Sequence, residues 1–300
     1  MNLQNVGKMT AIIPIIDFPR HAANISSIIK NAQEINLDLV LVLDSQPHSI
    51  FEQAVSATDS LGANAVVVEV NSRNPGGARN MGLSLAKTEW IVFWDCDDIP
   101  YAANMLKMIM RADGSGTQVV IGNYEEEELR SGKIKSTSAI SKFWKIDVGL
   151  NPGIWRFAFK RELIGSTRFP DLKMGEDQVF LQRILAKSPK VQIYNDIVYR
   201  YRLGVPNQLT SNRHEMSDLI SSNVITKREL NEQSIFKDTV IAMLIRQLLT
   251  LSKVPNFKVR YRLVYFFGAV VYLTKKPIVI FRFVNLLRAR MDRKESLRKR

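Results

Sequence analysis

The stretch that most constrains this chain is Glu89–Pro100, EWIVFWDCDDIP. Trp90, Ile91, Val92, Phe93 and Trp94 form an unbroken apolar run of aromatic and β-branched residues. Such a run suits a strand buried on both faces of a parallel sheet. It stops abruptly at Asp95, Cys96, Asp97 and Asp98. Three carboxylates at the carboxyl end of a buried strand repel one another, so they must be solvated, hydrogen-bonded or bound to a cation. That end of an open α/β sheet is also where ligands bind. Oxygen ligands at this density suit Mg²⁺ or Mn²⁺, which bridge one or two carboxylates and a substrate's phosphates. A solvated acidic turn before a helix at Ala102–Ala112 satisfies the same local pattern.

The flanking sequence repeats the strand–helix alternation. Met9–Ile16 and Leu37–Leu43 read as buried strands and Ala65–Val70 as a third strand. His21–Glu34 and Ser49–Leu61 read as helices, and SRNPGGARNMGLSLAKTE as a Pro-Gly-Gly loop leading into a helix at Ala78–Ala86. Thr117–Asn123, Ile154–Phe159 and Gln192–Arg202 read as further strands, with a helix at Asp177–Ala186 and Glu125–Glu128 as a solvated loop. This alternation predicts an α/β fold with a doubly wound, mostly parallel sheet. From about His214 only helices are expected, with Ile235, Ala242, Ile245, Leu248 and Leu249 facing inward. The expected division is a catalytic domain over 1–213 and a helical, basic extension over 214–300.

Right-handed crossovers bring the loops after Ile15, Asp44, Val70 and Trp94 to one sheet edge. Asp44, Arg79, Asp95 and Asp97 then share that edge. A nucleoside diphosphate needs such a set: a polar group for the base, acceptors for the ribose and a divalent cation between the phosphates. There is no Walker A sequence and no G-x-G-x-x-G, which argues against a P-loop or dinucleotide fold. Downstream, Glu176 and Asp177 open a helix. The helix dipole favours carboxylates there, and a carboxylate there can also serve as a general base toward an attacking hydroxyl.

Taken in order, IIP, GGARNMGLSLA, WIVFWDCDD, NPGIWRFAFKRELI, RFPDLKMGEDQVFLQRIL and IVYRYR resemble a family 2 glycosyltransferase of the GT-A fold, the inverting, bacterial surface-polysaccharide type. The resemblance covers Met9–Arg213. It implies transfer of a sugar from a nucleotide-diphosphate sugar to a hydroxyl of a saccharide or lipid-linked saccharide, with Mg²⁺ or Mn²⁺ as cofactor. It implies that Asp44 and Arg79 contact the base, that Asp95 lies near the ribose and that Asp97 binds the metal. Asp98 would complete the cluster or face the sugar. Asp177 would be the catalytic base and Glu176 would orient the acceptor. Trp155 would stack on an acceptor sugar and Arg202 would meet the leaving diphosphate. Two departures fall on the nucleotide side: Asp44-Ser45-Gln46-Pro47 replaces a D-D-G-S type ending, and Ile15-Ile16-Asp17 lacks the usual Asn. The base is therefore left open, with UDP as the default.

Charge separates the two parts of the chain. The net charge is +13 over 300 residues. Residues 251–300 hold 14 Lys or Arg against Asp292 and Glu295, a net of +12, whereas the preceding 250 residues carry a net of +1. A segregated charge of this kind points to an anionic partner surface. The run Leu263–Thr274 is 12 residues, short of the ~20 needed to span a bilayer. Apolar segments studded with Arg, Lys, Tyr and Phe match an interfacial element, and a helical subdomain packed on the catalytic domain is the competing account. A single cysteine, Cys96, fits a reducing compartment, and MNLQNVGKMT has no apolar signal region. The expectation is a cytoplasmic enzyme held peripherally at the inner membrane face near a polyprenyl-linked acceptor. Two rivals are weaker. A sugar-nucleotide nucleotidyltransferase would carry a Gly-rich loop after the first strand, where this chain has IIDFPRHAANI. A nucleic-acid-binding protein would mix its basic residues with polar and glycine residues rather than apolar ones.

Overall fold

The computed structural model describes residues 8–62, 64–136, 143–205, 216–254 and 257–275. Four strands, β1 (Met9–Ile15), β2 (Asp38–Asp44), β3 (Ala65–Val70) and β4 (Trp90–Phe93), run parallel in the order β3-β2-β1-β4. The helices α1 (Phe18–Glu34), α2 (His48–Ser60) and α3 (Pro75–Leu85) connect them. α1 starts earlier than its apolar spacing predicts because the Asp17 side chain accepts from the Arg20 N–H and Pro19 is tolerated in a first turn. α3 likewise takes in the expected Pro-Gly-Gly loop. The Asn74 side chain accepts from the Gly77 N–H at 2.6 Å, with Pro75 at the first helical position.

The chain continues through β5 (Ile99–Pro100), α4 (Ala102–Ala112), β6 (Val119–Glu128), β7 (Lys133–Ser136), α5 (Trp144–Leu150), β8 (Phe157–Lys160), α6 (Arg161–Ile164), α7 (Glu176–Leu185) and β9 (Val191–Leu203). β8 is inserted between β4 and β6 and is antiparallel to both, while β6 and β9 pair in parallel. The expected strand from Ile154 begins instead with a 3-10 turn, Ile154–Arg156. Glu125–Glu128 is not a solvated loop. It forms the end of β6, paired with β7 on one side and β9 on the other. Glu125 is buried there, accepting from Tyr101 Oη at 2.5 Å and from Arg200 Nε at 2.6 Å. Arg200, directly across on β9, and Tyr101, at the start of α4, outweigh the low strand propensity of glutamate.

β4 divides its side chains between two cores. Trp90, Val92 and Trp94 pack with α1 and α4, whereas Ile91 and Phe93 face α3 and α7. Phe93 meets Phe169 and Phe180 edge-on at 5.1 and 5.5 Å, and those two rings stack at 4.0 Å. The aromatic run thus welds both faces of the sheet and leaves the acidic turn at its end.

The C-terminal part is helical, as expected: α8 (Met216–Arg228), α9 (Lys237–Leu251) and α10 (Val259–Lys275). α9 is buried along most of its length against α5, α8 and α10. Phe236, Val240 and Met243 enter the same core as Phe93 and Phe180. Ala242, Ile245, Leu248 and Leu249 point inward, but Ile235, which precedes the helix, is exposed while its neighbour Phe236 is buried. Residues 276–300, where the sequence turns apolar again over Ile278–Leu287, lie outside the described residues.

Candidate active site

Three loops meet at the carboxyl ends of β2, β3 and β4. The first is built on Asp44, which is only 2% exposed. Its Oδ1 accepts from the Ser72 N–H, the Arg73 N–H and the Ser45 hydroxyl at 2.8, 3.0 and 2.8 Å. Its Oδ2 accepts from the Ser72 hydroxyl and the Asn74 N–H at 2.7 and 3.1 Å. Both oxygens are therefore occupied by the Ser72–Asn74 loop. Two non-glycine residues of this network hold left-handed backbone, Ser45 at φ 57° and Arg73 at φ 55°, conformations that cost ~1–2 kcal/mol each. The carboxylate expected to contact a nucleotide base is thus engaged in shaping the Ser72–Asn74 loop. Replacing Asp44 by alanine strands several buried donors and should lower stability on the order of 3 kcal/mol. A denaturation curve checks this, and an unchanged midpoint would refute the anchoring role.

The second group centres on Arg79 in α3. Its guanidinium is buried, donating Nη1 to Glu176 Oε1 at 2.7 Å and Nη2 to Asp95 Oδ1 at 2.8 Å. One cation thus ties the acidic turn after β4 to the first turn of α7. Gly175, the residue before α7, has φ 81°, and a Cβ there would meet Ser222 Oγ at 2.7 Å. The Ser222 hydroxyl donates to the Gly175 carbonyl at 2.9 Å and accepts from Gln247 Nε2 at 3.0 Å. α8 and α9 therefore brace the turn that presents Glu176 and Asp177. Burial first, then the neighbouring Asp177, push the Glu176 carboxyl up to about 8 against the opposing pull of Arg79. Burial also raises the half-buried Asp177, whose Oδ1 accepts from the Gln178 N–H at 2.8 Å.

The third group is the acidic turn itself. Asn24 Nδ2 of α1 donates to the Cys96 and Asp98 carbonyls at 2.8 and 2.7 Å, pinning the turn. The Tyr199 hydroxyl accepts from the Asp95 N–H at 3.1 Å. Asp98 turns inward at 1% exposure, and its Oδ1 accepts from the Arg202 N–H at 2.7 Å. Burial and its acidic neighbours raise its carboxyl well above the usual range. That side chain holds β9 to the turn rather than extending the exposed cluster. Asp97 faces a cavity of about 490 Å³, shared with Arg20, His21, Ser27 and Arg202. Arg202 Nη1 also reaches the Asp97 carbonyl at 3.3 Å. Burial lowers the His21 imidazole, opposed by Asp97.

Trp155 is half-buried and engaged by three tyrosines. It stacks on Tyr199 at 4.5 Å and lies 5.8 Å from Tyr201, with Tyr124 edge-on at 4.7 Å. His21, Asn24 and Tyr199 are site residues that sequence reasoning missed. α1 carries only an amphipathic signal, and Tyr199 reads as one residue of a buried strand. Among the described residues no three His, Cys, Asp or Glu side chains form a ready-made metal cage. Asp95 and Asp97 alternate on one partly exposed turn beside a cationic cavity, a donor set that fits a divalent ion completed by a substrate's phosphates.

D-x-D after β4 is thus tied through Arg79 to E-D at the start of α7, on a parallel sheet extended by the antiparallel strand β8. Residues 21–175, just over half of the chain, match glycosyl transferase family 2, and the chain belongs to that family. Among its relatives, the succinoglycan biosynthesis protein ExoO of Rhizobium meliloti is 28% identical over 149 residues, 44% of this chain and 43% of that protein. The chain thus matches less than half the length of that relative. Glycosyltransferase GlyG of Streptococcus pneumoniae is 25% identical over 215 residues, 65% of this chain and 70% of that protein. The fold is shared with S. aureus TarS residues 1–349, at TM-score 0.66 and 16% identity over 87% of this chain and 79% of that one. It is also shared with the mannosyltransferase PcManGT of Pyrobaculum calidifontis, at TM-score 0.59 and 14% identity over 97% and 89%.

Proposed function

We propose that this chain is an inverting glycosyltransferase. It would move a sugar from a nucleotide-diphosphate sugar, UDP-linked by default, to a hydroxyl of a saccharide or lipid-linked saccharide in surface-polysaccharide synthesis. The observation that carries this reading is the Arg79 bridge, which brings Asp95 of the acidic turn and Glu176 of α7 to one guanidinium. Donor-side and acceptor-side groups need such closeness for a single displacement. Asp177 takes the proton of the acceptor hydroxyl, whose oxygen forms the new bond to the anomeric carbon. The bond from that carbon to the phosphate oxygen breaks, and the nucleoside diphosphate leaves with the electron pair. An α-linked donor gives a β-glycoside. Glu176, fixed by Arg79, orients the acceptor, and the half-buried ring of Trp155 borders its path.

Asp97 and Asp95 would hold Mg²⁺ or Mn²⁺, which when bound neutralises charge on the departing diphosphate. Arg202, beside Asp97 in the cavity, supplies further positive charge at that place. Asp44 shapes the base-side loop, and Arg79, within α3, ties Asp95 to Glu176. Relatives support the reading. TarS was crystallised with UDP-GlcNAc, PcManGT with GDP-Man and Mn²⁺, and a Bacillus spizizenii relative is a poly(ribitol-phosphate) beta-glucosyltransferase. Residues 1–213 carry the chemistry in this reading. Residues 214–300 are an extension that braces α7 and works at the inner face of the membrane. No helix among the described residues is long and apolar enough to cross a membrane.

The deciding experiment measures nucleotide release from a panel of sugar nucleotides with Mg²⁺ or Mn²⁺. Turnover of one donor that EDTA abolishes supports the reading. Release from none, with the fold verified, would overturn it.

A further inference from the structure

We propose that the outward side of α10 is a lipid-docking surface for an anionic bilayer. This rests on the reading above only for its purpose, since the surface itself follows from the helix. Tyr265, Ala269, Tyr272 and Leu273 turn toward Ile241, Ile245, Leu248 and Leu249 of α9, with Gly268 over Leu248. Val259, Leu263, Phe266, Phe267 and Val271 recur at helical spacing on the opposite side, where a helix of a water-soluble domain would be polar. Phe266 is 46% exposed, Phe267 60% and Val264 64%. Of thirteen large apolar side chains exposed among the described residues, seven belong to this one helix. Single exposed apolar residues are ordinary, but a concentration of this kind marks an interaction surface.

Charge selects the occupant. Lys258 and Arg260 are exposed at the start of α10. The sequence that follows, 276–300, adds nine Lys or Arg against Asp292 and Glu295. A second copy would bring one strongly basic segment against another, which like-charge repulsion disfavours. An anionic lipid surface satisfies both features: the aromatic side chains enter the acyl boundary and the basic groups meet the headgroups. Each basic residue near such a surface contributes to binding in a salt-sensitive way. α10 is neither long nor apolar enough to cross a bilayer, so it lies in the plane of the interface.

Sedimentation of the full chain with vesicles tests this. Binding is expected to phosphatidylglycerol vesicles and not to phosphatidylcholine vesicles, and it should weaken at high salt. The double variant Phe266→Ser/Phe267→Ser should bind phosphatidylglycerol vesicles about 30-fold more weakly. Its thermal melt and nucleotide release should be unchanged, because both side chains are exposed on a helix that packs on α9. Removing α10 altogether is the poorer variant, since it would bare Ile241, Ile245, Leu248 and Leu249. Undiminished binding by the double variant would overturn the proposal. So would equal binding to both lipids, or no binding by the full chain. A dimer that forms through the phenylalanines in place of vesicle binding would assign the face to a second copy and equally overturn it. Loss of nucleotide release in every assay would sink the enzymatic reading and leave the vesicle result standing.

Discussion

Replacing Asp177 by asparagine should lower the rate of the chemical step by a factor of ~10²–10⁴ while donor affinity is retained. Asp177 lies in the first turn of α7, set by the left-handed Gly175 and by the Ser222–Gln247 brace, so the amide should keep the local structure. It cannot accept the acceptor's proton, and the burial that raises this carboxyl makes the native group a stronger base than an exposed aspartate. The base must be deprotonated to act, so the native rate should fall as pH drops through that raised pKa. The variant should lose this acid limb. Single-turnover kinetics beside calorimetric donor binding separate the effects. Equal loss of donor affinity and rate would make Asp177 a structural or donor-binding residue.

Asp97→Asn should reduce turnover to the level of the metal-free protein, a loss of at least ~10³-fold, with the fold intact. Of the three aspartates after β4, Asp97 is the one that faces the cavity. Asp95 is paired with Arg79, and Asp98 is buried against β9. An amide keeps the shape and removes the charge. A direct check is the electron paramagnetic resonance signal of Mn²⁺ titrated with protein and nucleoside diphosphate, which should show ion capture by the native chain and not by the variant. Full activity of the variant in EDTA would end the metal assignment.

Much of the frame was legible because it rests on local pattern. The apolar run of β4 announces a strand buried on both faces, and β3 and α4 occupy the predicted residues, Ala65–Val70 and Ala102–Ala112. β5 escaped notice because two residues leave no period to read, and β7 because KIKS is exposed throughout and carries no apolar run. Glu125–Glu128 misled because its burial depends on Arg200 and Tyr101, distant partners that no local window contains. The site shows the same division. Carboxylates at a strand end are visible in sequence, but their employment is not. Asp44 and Asp98 are consumed internally, and Arg79 bonds a residue 97 positions away. His21 and Asn24 come to the site only because α1 lies beside the turn.

The saturated carboxylate of Asp44 bears on how a donor would be received. A loop that holds two left-handed residues by five side-chain and backbone donors is already ordered before any nucleotide arrives. Its conformational entropy is lost during folding rather than at the encounter, so this wall of the site is preorganised. Selectivity among bases would then come from the fixed shape of the Ser72–Asn74 backbone more than from adaptive closure. A base that does not fit this rigid edge would be excluded sterically, with no compensating rearrangement available to admit it.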